Sequence, residues 1–153
     1  MSESVQYAVH EGVATITLNR PHVMNALDVE AITGLRAACE RAEHDAAARA
    51  VVLRGAGGAF CAGGDVSVFH ADLPRMGRLV RECAQELHYA ILALRRMPRP
   101  VLARVHGAVA GAGMSLLAAA DVAIAAADTR FTLAYSRIGA SPAGAMISND
   151  GVR

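Results

Sequence analysis

Twice in this chain a β-rich run empties into glycine and alanine and then leads into a helical stretch. One case is VVLRGAGGAFCAGGDVSVF, from Val51 to Phe69, and the other is VLARVHGAVAGAGMSLL, from Val101 to Leu117. A strand that feeds a helix through a tight turn of small residues needs a crossover to reach the next strand, which restricts the fold to an α/β architecture with parallel pairing. The flanking text agrees. Alternating apolar positions over Val5–His10 and Val13–Leu18, separated by Glu11-Gly12, predict a hairpin. Pro21 interrupts pairing, and Asp28 is placed to cap a helix with Ile32, Leu35 and Ala38 or Cys39 on one side, ending at His44 or Asp45. Ala50–Arg54 predicts a buried strand. Met76–Met97 carries Leu79, Val80, Cys83, Leu87, Ile91 and Leu94 at helical spacing and has to stop before Pro98 and Pro100. PVLARVHG, GAGMSLLAAA and DVAIAA then predict strand, helix and strand.

No Pro-, Ser- or charge-rich linker divides the 153 residues, so residues 1–153 are expected to form a single domain. With 54% hydrophobic residues such a chain can bury its own core. Fifteen basic and 14 acidic side chains are interspersed, for a net charge of +1, which leaves no electrostatic footprint for nucleic acid or an anionic membrane. The most apolar stretch, Met114–Ala127, contains Asp121 and is too short to span a bilayer. Cys39, Cys61 and Cys83 lack disulfide or metal spacing and are expected to be buried thiols; a cytoplasmic location follows as an expectation from them and from the unremarkable start MSESVQYAVH.

The glycine turns themselves can hold a negatively charged atom. Amides at the start of a helix have no partner within it and carry the positive end of its dipole, and residues as small as glycine and alanine let a ligand oxygen approach them. Asp65 is placed to cap the first of these helices. The glycines at 55, 57 and 58, and at 107, 111 and 113, match neither a dinucleotide fingerprint nor a P-loop. By the turns alone, glycines that merely permit close helix-to-strand packing explain the pattern as well.

Three stretches in order, RPHVMNALD (Arg20–Asp28), AFCAGGDV (Ala59–Val66) and HGAVAGAGMSLLAAADVAIAAADTRFTLAYSRIGASP (His106–Pro142), resemble the enoyl-CoA hydratase/isomerase, or crotonase, family. The resemblance runs from about Val5 to Pro142. It implies a spiral of repeated ββα units, stopping before the family's C-terminal helical region, that acts on an acyl-CoA thioester as a homo-oligomer, a trimer or hexamer, with no cofactor beyond the coenzyme A of the substrate. It also implies that the backbone N–H groups of Gly64 and Ala112 bind the thioester carbonyl, and that Cys61, Ala62, Asp65, Val66, Ser67 and Tyr135 line the ligand path.

The two glutamates that hydratases of the family use fall here on Ser115 and Tyr135. The aspartate of the ring-isomerase branch, whose text Phe131–Pro142 follows, falls on Ala143. None of these three can serve as a carboxylate base. A CoA-thioester-binding or assembly subunit without turnover, or an inactive fragment, therefore stands beside the enzymatic reading. His70, Glu82 and Glu86 are the other acid–base groups nearby, read first as solvated helix-face residues; His106 is read as a structural hydrogen-bonding group, and Tyr135 and Ser136 as substrate donors or strand-end packing in equal measure.

Overall fold

A computed structural model of the chain describes residues 3–67 and 76–133. The first two strands, β1 (Val5–His10) and β2 (Val13–Leu18), form the expected antiparallel hairpin, with Val5 opposite Leu18 and His10 opposite Val13. Every later strand of this sheet is parallel: β3 (Ala50–Gly55) lies on β2, β4 (Val101–Val105) on β3, and β6 (Val122–Ala125) on β4, in the order β1-β2-β3-β4-β6. Three helices connect them, α1 (Val29–His44), α2 (Met76–Arg95) and α3 (Ala112–Ala119).

A second, smaller layer pairs β5 (Ala108–Ala110) with β7 (Arg130–Thr132), and single parallel bridges extend it through Cys61 opposite Val109 and Leu27 opposite Gly64. The chain therefore spirals. After β2 it visits the small layer at Leu27 and enters α1; after β3 it visits at Cys61–Gly64 and begins a helical turn at Val66; after β4 it visits at β5 and enters α3. This is the ββα repeat that the sequence implied. One expectation needs correction. The run after β4 does not pass from strand to glycine turn to helix directly, because Ala108–Ala110 is itself a strand, and its partner β7 was not expected either.

Local chemistry accounts for the elements. The Asp28 side chain accepts the Ala31 N–H at 2.8 Å and caps α1, whose stripe of Ile32, Leu35, Cys39 and Ala42 is buried. At the other end of α1 the Arg99 guanidinium donates to the carbonyls of Glu43 (3.1 Å), Asp45 (2.8 Å) and Ala48 (2.8 Å), supplying donors at a helix C-terminus where carbonyls lack them. Helix α2 ends at Arg95, two residues before the expected Met97, because the last turn tightens: the Met97 N–H reaches back to Leu94 ahead of Pro98. Helices α1 and α2 pack on each other, and α1 also packs on β1 and β2. Between sheet and helices sit Ile16, Leu53, Phe60, Ile91 and Leu116, all buried.

The outer strand β6 differs. All four of its residues are exposed, as are Phe131 and Leu133 beyond it. All three cysteines are buried free thiols. Among the described residues no helix is long and apolar enough to cross a membrane, and no cluster of three or more metal-ligating side chains occurs.

Candidate functional site

The first glycine turn is built on Arg20 and Asn25, two residues that sequence reasoning did not single out. Met24 and Asn25 adopt left-handed backbone (φ 54° and 57°), a conformation that asparagine tolerates better than most residues. The buried Asn25 amide then donates to the carbonyls of Ala56 and Ala59, each at 2.8 Å, while its Oδ1 accepts the Arg20 N–H at 2.8 Å. One side chain thus ties the turn after β2 to the turn after β3.

Arg20 adds a second tie. Its guanidinium donates to the Ala26 carbonyl at 2.5 Å and pairs with Asp28 at 2.9 Å and Asp65 at 3.1 Å, all three side chains being largely buried. Asp65 in turn accepts the Ser67 hydroxyl (2.5 Å) and the Ser67 N–H (3.2 Å), which is the expected cap of the helical turn beginning at Val66. The Ser67 hydroxyl and the Arg20 guanidinium hold the Asp65 carboxyl below its ordinary value of 3.8, against the opposing effect of burial.

The peptide units around Gly64 alternate in direction. Leu27 N–H donates to Gly63 O (2.7 Å) and Asp65 N–H donates to Leu27 O (2.9 Å). In a parallel ladder the residue between those two contacts turns its own N–H and C=O the other way, so the Gly64 N–H faces away from Leu27. On that side lies the second glycine turn. Gly63 (φ 105°) and Gly111 (φ 49°) meet there: a Cβ on Gly63 would stand 3.1 Å from Ala110 O and 3.6 Å from Ala112 N, and one on Gly111 would stand 3.6 Å from Gly63 Cα. Both positions favour glycine for backbone angle, and Gly63 for space as well.

Ala112 is the first residue of α3. Gly111 N–H is engaged by Thr132 O at 3.1 Å, and the N–H groups of Met114 and Ser115 turn back to Gly111 O. Among the described residues, neither Gly64 N–H nor Ala112 N–H donates to a backbone carbonyl. The structure thus brings the two turns that carry Gly64 and Ala112 into contact, with Gly64 exposed at the surface and Ala112 buried.

The other expected ligand-path residues distribute around this contact. Cys61 is buried, pairs with β5 through its backbone, and has its thiol pushed up to about 12 by desolvation despite the opposing Gly63 N–H, so it is a protonated packing group rather than a nucleophile. Ala62 donates its N–H to Met24 O at 3.0 Å and is half-buried, while Val66 and Ser67 are exposed. Ser115 is fully buried on α3, one turn beyond Ala112. Tyr135, Ser136, Ala143 and His70 lie outside the described residues. Glu82 pairs with Arg78 (2.7 Å) and Glu86 with Arg36 (2.9 Å); both also line a cleft of about 290 Å³ between α1 and α2, with Val29, Ile32, Leu79 and Cys83. His106 Nε2 lies 2.8 Å from Gly57 O, the structural contact expected for it.

Removing the Arg20 clamp has a calculable result. Arg20→Ala leaves the Asp28 and Asp65 carboxylates near one another without their cation, and the expected loss is about 2 to 4 kcal/mol, somewhat under the figure for a fully buried pair. Urea midpoints measure it. Because the Asp65 pKa is depressed in the folded state, its contribution is present above the ordinary carboxylate value and disappears as pH falls through the folded value. The wild-type stability should therefore drop with acidification below about pH 4, and the variant should show a shallower drop.

Comparison with known proteins agrees with this architecture. A family model described as enoyl-CoA hydratase/isomerase matches residues 8–149. A probable enoyl-CoA hydratase of Rhodobacter capsulatus is 45% identical over 139 residues, 91% of this chain and 52% of that protein. The 1,2-epoxyphenylacetyl-CoA isomerase of Escherichia coli is 35% identical over 146 residues, 93% of this chain and 55% of its own length. Among solved structures, an enoyl-CoA hydratase from Polaromonas sp. JS666 superimposes with a TM-score of 0.84 at 35% identity, covering 90% of this chain and 54% of the other. The chain spans about half the length of the relatives it matches. With the spiral of ββα units, the paired glycine turns and a family match over nearly all its residues, the chain belongs to the enoyl-CoA hydratase/isomerase family.

Proposed function

We propose that this chain binds an acyl-CoA thioester and polarises its carbonyl with the backbone N–H groups of Gly64 and Ala112. The observation that carries the reading is the contact of the two glycine turns through Gly63 and Gly111, which leaves both amides outside the backbone ladders and sets the first turn of α3 beside them. When a thioester passes to an enolate, negative charge grows on its oxygen, and fixed amides stabilise that charge more than they stabilise the ground state. Each such donor is worth about 3 to 4 kcal/mol of barrier. The Arg20 and Asn25 ties hold the Gly64 turn against the rest of the fold, so the donor is positioned before ligand arrives.

A second reading, binding or assembly without turnover, is favoured by Ser115, a buried hydroxyl where hydratases of the family carry a carboxylate. Calorimetric titration with acetoacetyl-CoA tests the binding common to both readings: saturable heat is expected, and its absence at millimolar ligand overturns the proposal. Conversion of crotonyl-CoA or of an isomerisable enoyl-CoA separates the two, since turnover excludes the purely binding role. Cytoplasmic residence and assembly into trimers or hexamers belong to the same proposal, and sedimentation of the purified chain tests the assembly.

A further inference from the structure

We propose that the outer face of the large sheet carries a separate site for a phosphate-type oxyanion, formed by Arg54, Arg104 and the turn from Gly55 to Gly57. Arg54 of β3 and Arg104 of β4 are register partners on adjacent parallel strands. Their neighbours Val51, Leu53, Val101, Ala103 and Val105 are buried on the helix side of the sheet, so alternation places both arginines on the opposite face. Adjacent strands are about 4.8 Å apart, and two like charges in register repel. An arrangement of this kind is unfavourable unless something negative lies between or above the two guanidinium groups.

Among the described residues no side chain supplies that charge: neither Arg54 nor Arg104 is ion-paired with an Asp or Glu there, the arginine pairs seen being those of Arg20, Arg36 and Arg78. In addition, the Arg54 Nε is shut off from solvent and, among the described residues, donates to no partner, although a buried donor left unsatisfied costs about 1 to 3 kcal/mol, more when charged. Both arginines line a cavity of about 290 Å³ together with Gly55, Gly57 and His106, and none of the described acidic residues lines it. The rim is braced: His106 Nε2 must carry the proton it donates to Gly57 O, since a carbonyl only accepts. The space holds a tetrahedral oxyanion with waters around it, each water taking about 30 Å³. Two planar forks converging from neighbouring strands suit a tetrahedral anion, which accepts from both at once, better than a planar carboxylate.

Titrating the full chain with inorganic phosphate by calorimetry, at ionic strength held constant with chloride, reads the site. Saturable binding is expected in the wild type. Arg104→Gln, at an exposed position, should weaken it by about tenfold or more, as expected for loss of charge-assisted contacts, while the phosphate-free unfolding midpoint is not lowered and rises slightly as the repulsion between the paired arginines is relieved. Arg104→Lys should weaken it less. Competition by glycerol 3-phosphate assigns the site to phosphomonoesters generally, and failure to compete assigns it to the free ion; either outcome supports the site. Heat that does not saturate in the wild type, or binding unchanged in Arg104→Gln, overturns the proposal.

Discussion

Proline at position 112 should lower turnover of an enoyl-CoA by on the order of 10²- to 10³-fold while leaving the fold in place. Ala112 is the first residue of α3, and the first helical position tolerates proline because its N–H has no helical partner to lose. The preceding residue, Gly111, is the residue type least constrained by a following proline. Ala112→Pro therefore deletes one proposed donor and little else. The informative comparison is Gly64→Pro, which deletes the other. If each amide stabilises the developing oxyanion, either substitution should depress kcat far more than the affinity for acetoacetyl-CoA, and the double variant should lose less than the product of the two, because residues serving one oxygen act together. Stopped or steady-state assays on crotonyl-CoA, with circular dichroism to verify folding, provide the measurement. A variant with unchanged kcat and intact fold would remove position 112 from the reaction.

Gly113→Ala is expected to destabilise the protein by about 3 kcal/mol, at the upper end of what a single added methyl does in a packed interior. A Cβ at 113 would stand 2.6 Å from Cys61 O and 2.9 Å from Cys61 Cβ. The first of these is backbone fixed by two hydrogen bonds to β5, Cys61 N–H to Ala108 O and Ala110 N–H to Cys61 O. Neither wall can swing aside as the end of a long side chain could, so α3 has to move off the Cys61 strand. Gly77→Ala provides a control of opposite sign. A Cβ there meets nothing within 4 Å on the exposed side of α2, and the swap should stabilise by about 0.5 to 1 kcal/mol through helix propensity. Urea denaturation of both variants tests the pair. Because α3 carries Ala112, Gly113→Ala should also disturb acyl-CoA binding, whereas Gly77→Ala should not.

The elements that could be read from sequence are those whose causes are local. Asp28 caps α1 three residues ahead of the N–H it accepts, so cap and helix appear together in the text. Glu11-Gly12 sits inside the hairpin it makes, and both residues take positive φ there. The short strands β5 and β7 escaped because three residues cannot display an alternating pattern, and Val109 finds Phe131 more than twenty residues away.

The candidate site divides in the same way. The two residues proposed to face the ligand, Gly64 and Ala112, were named by the family resemblance, within turns that stood out for their small residues. The supporting residues did not: Asn25 meets Ala56 and Ala59 at separations of 31 and 34 residues, and Arg20 meets Asp65 at 45. The text RPHVMN contains an asparagine in a turn, which hints at left-handed backbone, but nothing local names the carbonyls it will hold. Arg54 and Arg104 likewise look like two unrelated surface cations until strand register sets them side by side.

Strand β6 has a consequence for handling the protein. Among the described residues it pairs with β4 on one side only, its four apolar residues are open to water on both faces, and Lys, Pro and Glu, which elsewhere blunt such borders, are absent from it. Its free row of amides and carbonyls is a template on which any extended segment can continue the sheet. Concentrated solutions of this chain should therefore self-associate along that border, molecule to molecule, while each copy is still natively folded.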